Sequence, residues 1–207
     1  MLNKEHIMEK TLTKPTAQSV KAFLDKWQHS NEVKKYDAHD EALHQLFSQL
    51  PNNQKLSDVL LKVSTLNDFY STNIFQTYSV AKNIVALENV DERLKNGDIS
   101  VVDDIRHNII KDKKFDFYSF ATKYCSQHNN KDFPIYDNFV DKILFELNKV
   151  EKFYSFKRTD LKDYKKFKEV VLAFQKYFGL EEFSIRQIDT YLWQYGKKMF
   201  STSKEKK

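Results

Sequence analysis

The sequence predicts an all-α protein. Glycine and proline occur three times each in 207 residues, too few for the turns of a β-sandwich or for the glycine-rich loops of nucleotide-binding folds. Apolar residues recur with the period of an amphipathic helix over most of the chain. Aromatic residues make up 14% of the sequence, and their large side chains can bury a sizeable core. We expect a compact domain of about eight to nine helices, and two lobes around a cleft are one form that it can take.

The first half of the domain is a series of short amphipathic segments. Residues 1–15 are polar and without pattern, which predicts a flexible arm, and a single helical domain is expected over residues 16–200. The second helix is predicted to end at Pro51-Asn52-Asn53, a typical turn sequence. In this half, helices are predicted over residues 16–27, 37–50, 57–70, 71–87, 90–95 and 98–110.

The second half contains longer helices with clearer ends. Gly179 ends one helix, because glycine suits the left-handed residue that follows a helix. Ser184 and Gln187 have the spacing of a capping box at the start of the last helix. Residues 201–207 are predicted to be a basic, disordered tail. In this half, helices are predicted over residues 117–128, 137–150, 159–178 and 184–200.

Positive charge is concentrated near the C-terminus. The net charge is +5, and residues 149–207 hold 15 Lys and Arg against 8 Asp and Glu. A local positive excess is typical of proteins that bind a polyanion, above all nucleic acid. A solvated lysine-rich helix face explains the same pattern equally well.

Several classes of site are excluded by composition. Cys125 is the single cysteine, so neither an internal disulfide nor a cysteine-rich zinc module can form. The six histidines do not have the spacing of metal ligands, so we expect neither a metal nor a cofactor. We find no apolar run long enough for a membrane span and no secretory signal. We therefore expect a cytoplasmic protein. We also expect a monomer.

Asp137 is the strongest candidate for chemistry. It follows the loop FPIY and begins a helix, where backbone amides and the helix dipole favour an ionised carboxylate. A carboxylate fixed on a rigid element can stabilise a developing cation or orient a water molecule. Asp is also one of the commonest N-cap residues, so a purely structural role is the alternative.

The helix FYSFATKYCSQH, the loop FPIYD and the helix NFVDKILFEL together resemble the core of the helix-hairpin-helix DNA glycosylase superfamily. The resemblance covers residues 55–150. It implies a DNA base-excision enzyme that flips a base out of the duplex, with Asp137 as the catalytic carboxylate that orients a water molecule at C1′. The whole chain also resembles uncharacterised bacterial proteins that share LNxFYSTNI, FPIYD and DxYLWxYGK.

The chain departs from the superfamily at the hairpin, which is usually rich in glycine. The corresponding stretch, IIKDKKFDFYS, has none, so either its lysines contact a phosphate or the contact is absent. Tyr118 and Ser119 occupy the positions that match the nucleophilic lysine of bifunctional members. Lys123 lies a turn further on and is a poor substitute, so an amine nucleophile is not expected. The resemblance therefore implies a monofunctional enzyme. The residues expected to contact DNA are Lys111, Lys113, Lys114, Lys123, Lys165 and Lys166.

The resemblance also suggests which side chains bind the flipped base. They are aromatic or polar residues near the catalytic loop and at the junction around residues 67–73. Aromatic residues at helical spacing are more often core, and the polar cluster can equally cap the two helices that it joins. The candidate base-binding residues are Asn67, Tyr70, Asn73, Tyr136 and Trp193.

Two other interpretations, in which the protein is not an enzyme, remain open. The first is a helical module that binds DNA or a protein without catalysis, which the missing hairpin glycines favour. The second is a purely structural interaction protein. A polar cleft around Asp137 would favour the enzyme, and an Asp137 side chain packed away among its own main-chain amides would favour the other two.

Overall fold

The computed structural model describes residues 12–28 and 31–201 and confirms the prediction of an all-α protein. Most of the predicted arm and nearly all of the predicted tail lie outside these residues. The first six helices of the described chain are α1 (Ala17–Gln28), α2 (Asn31–Gln49), α3 (Leu56–Tyr70), α4 (Thr77–Ala86), α5 (Val90–Lys95) and α6 (Ser100–Arg106). They are followed by α7 (Tyr118–His128), α8 (Asn138–Glu151), a 3₁₀ helix (Arg158–Lys162), α9 (Tyr164–Tyr177) and α10 (Ile185–Phe200).

One contiguous core holds the helices together. Buried apolar side chains from all ten of these α-helices belong to the same cluster. Its largest members are aromatic, and Tyr124, Tyr164 and Tyr191 are almost fully buried. The high aromatic content therefore fills the interior, as the composition predicts.

A β-hairpin interrupts the helical pattern between α6 and α7. The sequence predicts a helix over residues 98–110, but the chain leaves the helix after Arg106 and forms two antiparallel strands, β1 (His107–Ile110) and β2 (Lys113–Asp116). Lys111 and Asp112 both have positive φ, as the tightest hairpin turns require. The Arg106 guanidinium holds the base of the hairpin through two bonds to the Asp116 carboxylate, of 2.8 and 2.6 Å.

The last helix packs closely across α8. Gly196 makes the close approach possible, because a Cβ atom there would lie 2.5 Å from the Phe139 carbonyl oxygen. The predicted capping box fixes the start of α10: the Ser184 hydroxyl accepts from the Gln187 amide, and the Gln187 side chain accepts from the Ser184 amide. This crossing sets the face of α10 against the N-terminus of α8, where Asp137 lies.

The described end of the N-terminal segment contacts α10. The Tyr195 hydroxyl accepts from the Thr13 amide at 2.7 Å and donates to the Thr13 carbonyl at 3.0 Å, and Pro15 is buried. Part of the predicted arm is therefore attached to the domain.

Candidate functional site

The loop before α8 is fixed by side chains from three other elements. Pro134 favours an extended chain, and the Tyr164 hydroxyl donates to its carbonyl at 3.0 Å. The Ile135 amide donates to Asp189 Oδ2 at 3.0 Å, and the Tyr136 amide donates to Thr122 Oγ1 at 3.1 Å. The position of the next residue, Asp137, is consequently determined by long-range contacts.

Asp137 caps α8 and is partly accessible to solvent. Its Oδ1 accepts a hydrogen bond from the Phe139 amide at 2.8 Å. The side chain is 24% exposed and lines a cavity of about 320 Å³. Capping therefore uses one oxygen, while the other, Oδ2, has Lys123 as a neighbour.

Lys123 is the site residue whose position differs most from the expected one. The sequence predicts that it contacts DNA phosphate, but its side chain is only 6% exposed and lies in the cavity wall. The ammonium nitrogen is 3.7 Å from Asp137 Oδ2 and donates to the Ser119 hydroxyl. Burial lowers its pKa, and the carboxylates of Asp137 and Asp189 oppose that shift.

A second acidic group faces the same cavity from α10. Asp189 is 4% exposed, and its Oδ2 accepts from the Ile135 amide. Its other oxygen, Oδ1, is buried without a hydrogen-bond partner among the described residues. Burial raises the pKa of Asp189 to about 8, against the lowering effects of the Ile135 amide and of the positive charges on Arg186 and Lys123.

An ion pair joins α10 to α2 across the cavity. Arg186 Nη2 lies 2.6 Å from Asp40 Oδ2. The Tyr70 hydroxyl donates to Asp40 Oδ1 at 3.4 Å and accepts from Gln127 at 3.3 Å. These contacts link α10, α2, α3 and α7 beside the cavity.

Aromatic rings supply most of the remaining wall. Trp193 meets Tyr36 edge to face, with ring centroids 5.2 Å apart, and Lys123 Nζ lies 5.4 Å from the centre of the Tyr70 ring. Ligand sites commonly combine such walls with a few converging polar groups. The aromatic residues that line the cavity are Tyr36, Phe69, Tyr70 and Trp193.

The expected base-binding residues divide into two groups. Tyr70 and Trp193 line the cavity together with Asp137. Tyr136 does not: its ring packs on Tyr118 at 4.6 Å, and its hydroxyl donates to Asp141 at 2.9 Å. Its side chain therefore belongs to the core next to the loop.

The two asparagines lie at the end of α3 and in the turn after it, and they do not line the cavity. Asn67 Oδ1 accepts from the Thr72 hydroxyl and from the Ile74 amide, both at 2.8 Å. Asn73 is exposed and has a positive φ. The structure thus places Asn67 in the capping role that was the alternative for this polar cluster.

The remaining expected DNA-contacting lysines are on the surface. Lys111, Lys113 and Lys114 are exposed on the hairpin, and Lys165 and Lys166 are exposed on α9. In the part of the chain that the structure describes, no group of three or more acidic, histidine or cysteine side chains is arranged to hold a metal ion.

Of the α10 residues that line the cavity, Trp193 was among the expected base-binding residues, whereas Arg186 and Asp189 were not among the candidate site residues. Arg186, Asp189 and Trp193 follow one another at intervals of three and four residues, so they lie on one helix face. Charged residues on the same helix face as a tryptophan were the available signal. The partners Asp40 and Tyr36 come from a helix about 150 residues earlier, and no local pattern links them to α10.

A second buried lysine lies outside this cavity. Lys62 on α3 is fully buried, and its ammonium group lies 2.7 Å from Asn53 Oδ1, 3.1 Å from the Asn52 carbonyl and 3.4 Å from His128 Nε2. Because a lysine ammonium can only donate, His128 Nε2 is the acceptor. Asn53 is held in turn by the Asp91 carboxylate at 2.7 Å and by the Tyr124 hydroxyl at 2.6 Å.

These features define a helical protein with an aromatic, charged cavity in which a buried lysine lies beside a partly exposed aspartate. Residues 19–132 match the sequence model of HI_0787_N, described as an N-terminal domain, and the chain belongs to this family. It is 48% identical over 149 residues to an uncharacterized protein of Haemophilus influenzae, an alignment that spans 72% of this chain and 71% of the relative. No solved structure matches the chain significantly. Among the described helices, none combines the length and apolarity needed to cross a membrane.

Proposed function

We propose that this protein is a DNA base-excision glycosylase in which Lys123 and Asp137 act together. The observation that carries the proposal is the Lys123 ammonium 3.7 Å from the Asp137 carboxylate in the wall of a base-sized cavity. Partners of this kind, a desolvated amine and a fixed carboxylate, suit attack on a sugar carbon and stabilisation of its positive charge. The proposal changes the expected monofunctional mechanism into one with an amine nucleophile.

The chemistry needs Lys123 as a free amine, which the lowering of its pKa by burial favours. The amine attacks C1′ of the extruded nucleotide, and the C1′–N bond breaks so that its electron pair leaves with the base. A proton then passes from the nitrogen to O4′ as the C1′–O4′ bond opens to an iminium ion. Loss of a C2′ proton and cleavage of the C3′–O bond complete a strand cut by β-elimination.

Asp137 is suited to the electrostatic part of this sequence. Its Oδ1 is held by the Phe139 amide, so the carboxylate keeps its position while charge develops on the sugar. Its Oδ2 faces Lys123 and can take the proton that the ammonium must release. The aromatic walls, Tyr70 and Trp193 among them, provide stacking surfaces for a flipped base.

DNA is the proposed partner on grounds of charge as well. The C-terminal segment carries a net positive charge, and three exposed lysines lie on the hairpin directly before α7. Such side chains would neutralise phosphates and make binding fall steeply with salt. We propose as well that the protein acts in the cytoplasm and as a monomer.

A water-based mechanism is the second candidate. It is favoured by the 24% exposure of Asp137, which leaves room for a water molecule beside the carboxylate. In that mechanism Asp137 orients water at C1′, and Lys123 only balances the charge of the carboxylate. The two mechanisms differ in that only the first forms a covalent protein–DNA intermediate.

Borohydride trapping separates the two mechanisms. The full-length protein is incubated with duplexes that contain an abasic site or one of a panel of damaged bases, and the imine is reduced to a stable protein–DNA adduct. We expect an adduct with the wild type and with Lys176→Gln, a surface control on α9, but none with Lys123→Gln. If bases are released without an adduct, and this release is lost in Asp137→Asn, the water mechanism is established. If the panel gives neither an adduct nor base release, the glycosylase is rejected, and the non-catalytic binding module and the structural interaction protein remain.

A further inference from the structure

The buried oxygen of Asp189 is an unpaired polar atom in a cavity wall. The residue is 4% exposed and lines the same cavity as Lys123. Its Oδ2 accepts from the Ile135 amide, whereas its Oδ1 has no partner in the described part of the chain. Buried polar atoms are nearly always hydrogen-bonded, so an exception in the wall of a cavity points to a missing ligand atom.

The hydrogen-bond pattern around Asp189 decides where a proton would reside. Oδ2 already accepts the Ile135 N–H, so a proton on this carboxyl group belongs on Oδ1. Burial raises the pKa of Asp189 to about 8, which keeps the group largely neutral at pH 7. The other titratable or charged side chains that line the cavity are Tyr36 and Asp40 on α2, Tyr70 on α3, Lys123 on α7, Asp137 before α8 and Arg186 on α10.

The shape of the cavity restricts the ligand. Its volume of about 320 Å³ is at the lower end of the usual range for small-molecule sites, roughly 300–1,000 Å³. Aromatic side chains line it, Phe69, Tyr70 and Trp193 among them, and flat rings stack well against such surfaces. A planar heterocycle therefore fits the walls, and Asp189 is the donor that its edge would meet.

We propose that Asp189 is the residue that selects the base: its Oδ1–H donates to a ring nitrogen or carbonyl oxygen of a planar nucleobase in the cavity. The identification of the heterocycle as a nucleobase rests on the proposed function. The recognition step does not need Lys123, so binding and chemistry can be measured separately. Asp189 is thus a specificity-determining residue, distinct from the amine and carboxylate that act on the sugar.

Binding of free bases tests this proposal. The probes are 9-methyladenine, 9-methylguanine, 1-methyluracil and 1-methylcytosine, in which the methyl group stands for the sugar. Affinities are measured by calorimetry on the full-length protein at pH 6.5 and pH 9. We expect at least one probe to bind the wild type at pH 6.5 and to bind about tenfold more weakly at pH 9, since a pKa of about 8 leaves about a tenth of Asp189 protonated there.

Two substitutions at the same position distinguish donation from simple packing. In Asp189→Asn the side-chain oxygen can still accept from Ile135, and the amide is a donor at every pH. We expect this variant to bind within about threefold of the wild type at pH 6.5 and to weaken by less than about threefold at pH 9. Asp189→Leu, which has no donor, is expected to bind at least about tenfold more weakly at pH 6.5.

The proposal is overturned if no probe binds the wild type, if Asp189→Leu binds as well as the wild type, or if Asp189→Asn is as weak as Asp189→Leu. The last result would mean that Asp189 accepts as a carboxylate. Any pH dependence that remains in Asp189→Asn reports other groups, Lys123 above all. Base binding without a trapped adduct would remove the amine mechanism but keep this inference. An adduct without base binding would keep the amine mechanism and remove this inference.

Discussion

Lys62 and Lys123 are both buried, yet their surroundings differ in kind. The Lys62 ammonium lies within hydrogen-bonding distance of two neutral oxygens and one ring nitrogen, and none of these three partners is a carboxylate. The Lys123 ammonium has a hydroxyl acceptor, a carboxylate 3.7 Å away and a cavity beside it. Lysine is rarely buried unless it is paired, so each case needs its own explanation.

The comparison shows that burial and a shifted pKa do not by themselves mark a functional lysine. Burial lowers the pKa of Lys62 to about 8 and also lowers that of Lys123. Lys62, however, has as many partners as it has donors, so it has no capacity left for a ligand. Lys123 can still donate to a ligand, and its ammonium group lies beside the Asp137 carboxylate. This is the arrangement expected of reactive lysines.

Replacing each lysine by methionine is the strongest test of this distinction. Lys123→Met should lower base release and imine trapping by at least about 10²-fold, while leaving the free energy of unfolding equal to or above that of the wild type. Lys62→Met should leave activity per folded molecule intact but lower the free energy of unfolding by about 1–3 kcal/mol, because Asn53 and the Asn52 carbonyl lose their donor.

Both quantities are measured on the same samples, by denaturant titration and by single-turnover cleavage. The comparison fails if Lys62→Met is folded but inactive, or if Lys123→Met is the less stable of the two variants. The first outcome would make Lys62 part of the site, and the second would make Lys123 a structural residue.

The sequence was sufficient to predict the elements that depend on local pattern. The N-cap role of Asp137 follows from its position after FPIY, and the capping box of α10 follows from Ser184 and Gln187 alone. Short strands without glycine gave no comparable signal, so the hairpin at residues 107–116 was predicted partly as helix. Its turn uses Lys111 and Asp112, two residues that seldom adopt positive φ together.

The buried charges could not be predicted in this way. A lysine in an amphipathic helix is normally placed on the solvent side, and only tertiary packing shows otherwise. Lys62 meets His128, 66 residues away, and Asp189 meets Ile135, 54 residues away. For the same reason Lys123 was expected to contact DNA at the surface, whereas it lies in the cavity wall beside Asp137.

The pH dependence of stability tests the structural role of the buried cluster around Lys62 and His128. Burial lowers the pKa of His128 from 6.5 to about 3, and the charge of Lys62 adds to the effect. The folded state therefore binds fewer protons than the unfolded state between these values. The stabilisation that comes from keeping His128 neutral is fully present above pH 6.5 and should be lost as the pH falls toward 3. The free energy of unfolding should decrease by about 2 kcal/mol between pH 6.5 and 5.

His128→Gln removes the titrating group and keeps an acceptor for Lys62. The difference in unfolding free energy between this variant and the wild type should shift in favour of the variant as the pH falls. A difference that stays constant with pH would show that His128 can take up a proton in the folded state at no extra cost.

The exposed hairpin lysines should show the smallest effect on stability, because their side chains lie on the surface. Replacing Lys111, Lys113 and Lys114 by glutamine together should change the free energy of unfolding by less than about 0.5 kcal/mol for each substitution. If these side chains bind phosphates, the slope of log affinity against log salt should fall by about 0.9 for each phosphate that is no longer neutralised. Binding to duplex DNA measured over a salt series gives the slope directly. An unchanged slope would remove the hairpin from the DNA interface, whereas a reduced slope with an intact trapped adduct would separate phosphate binding from the chemistry of Lys123.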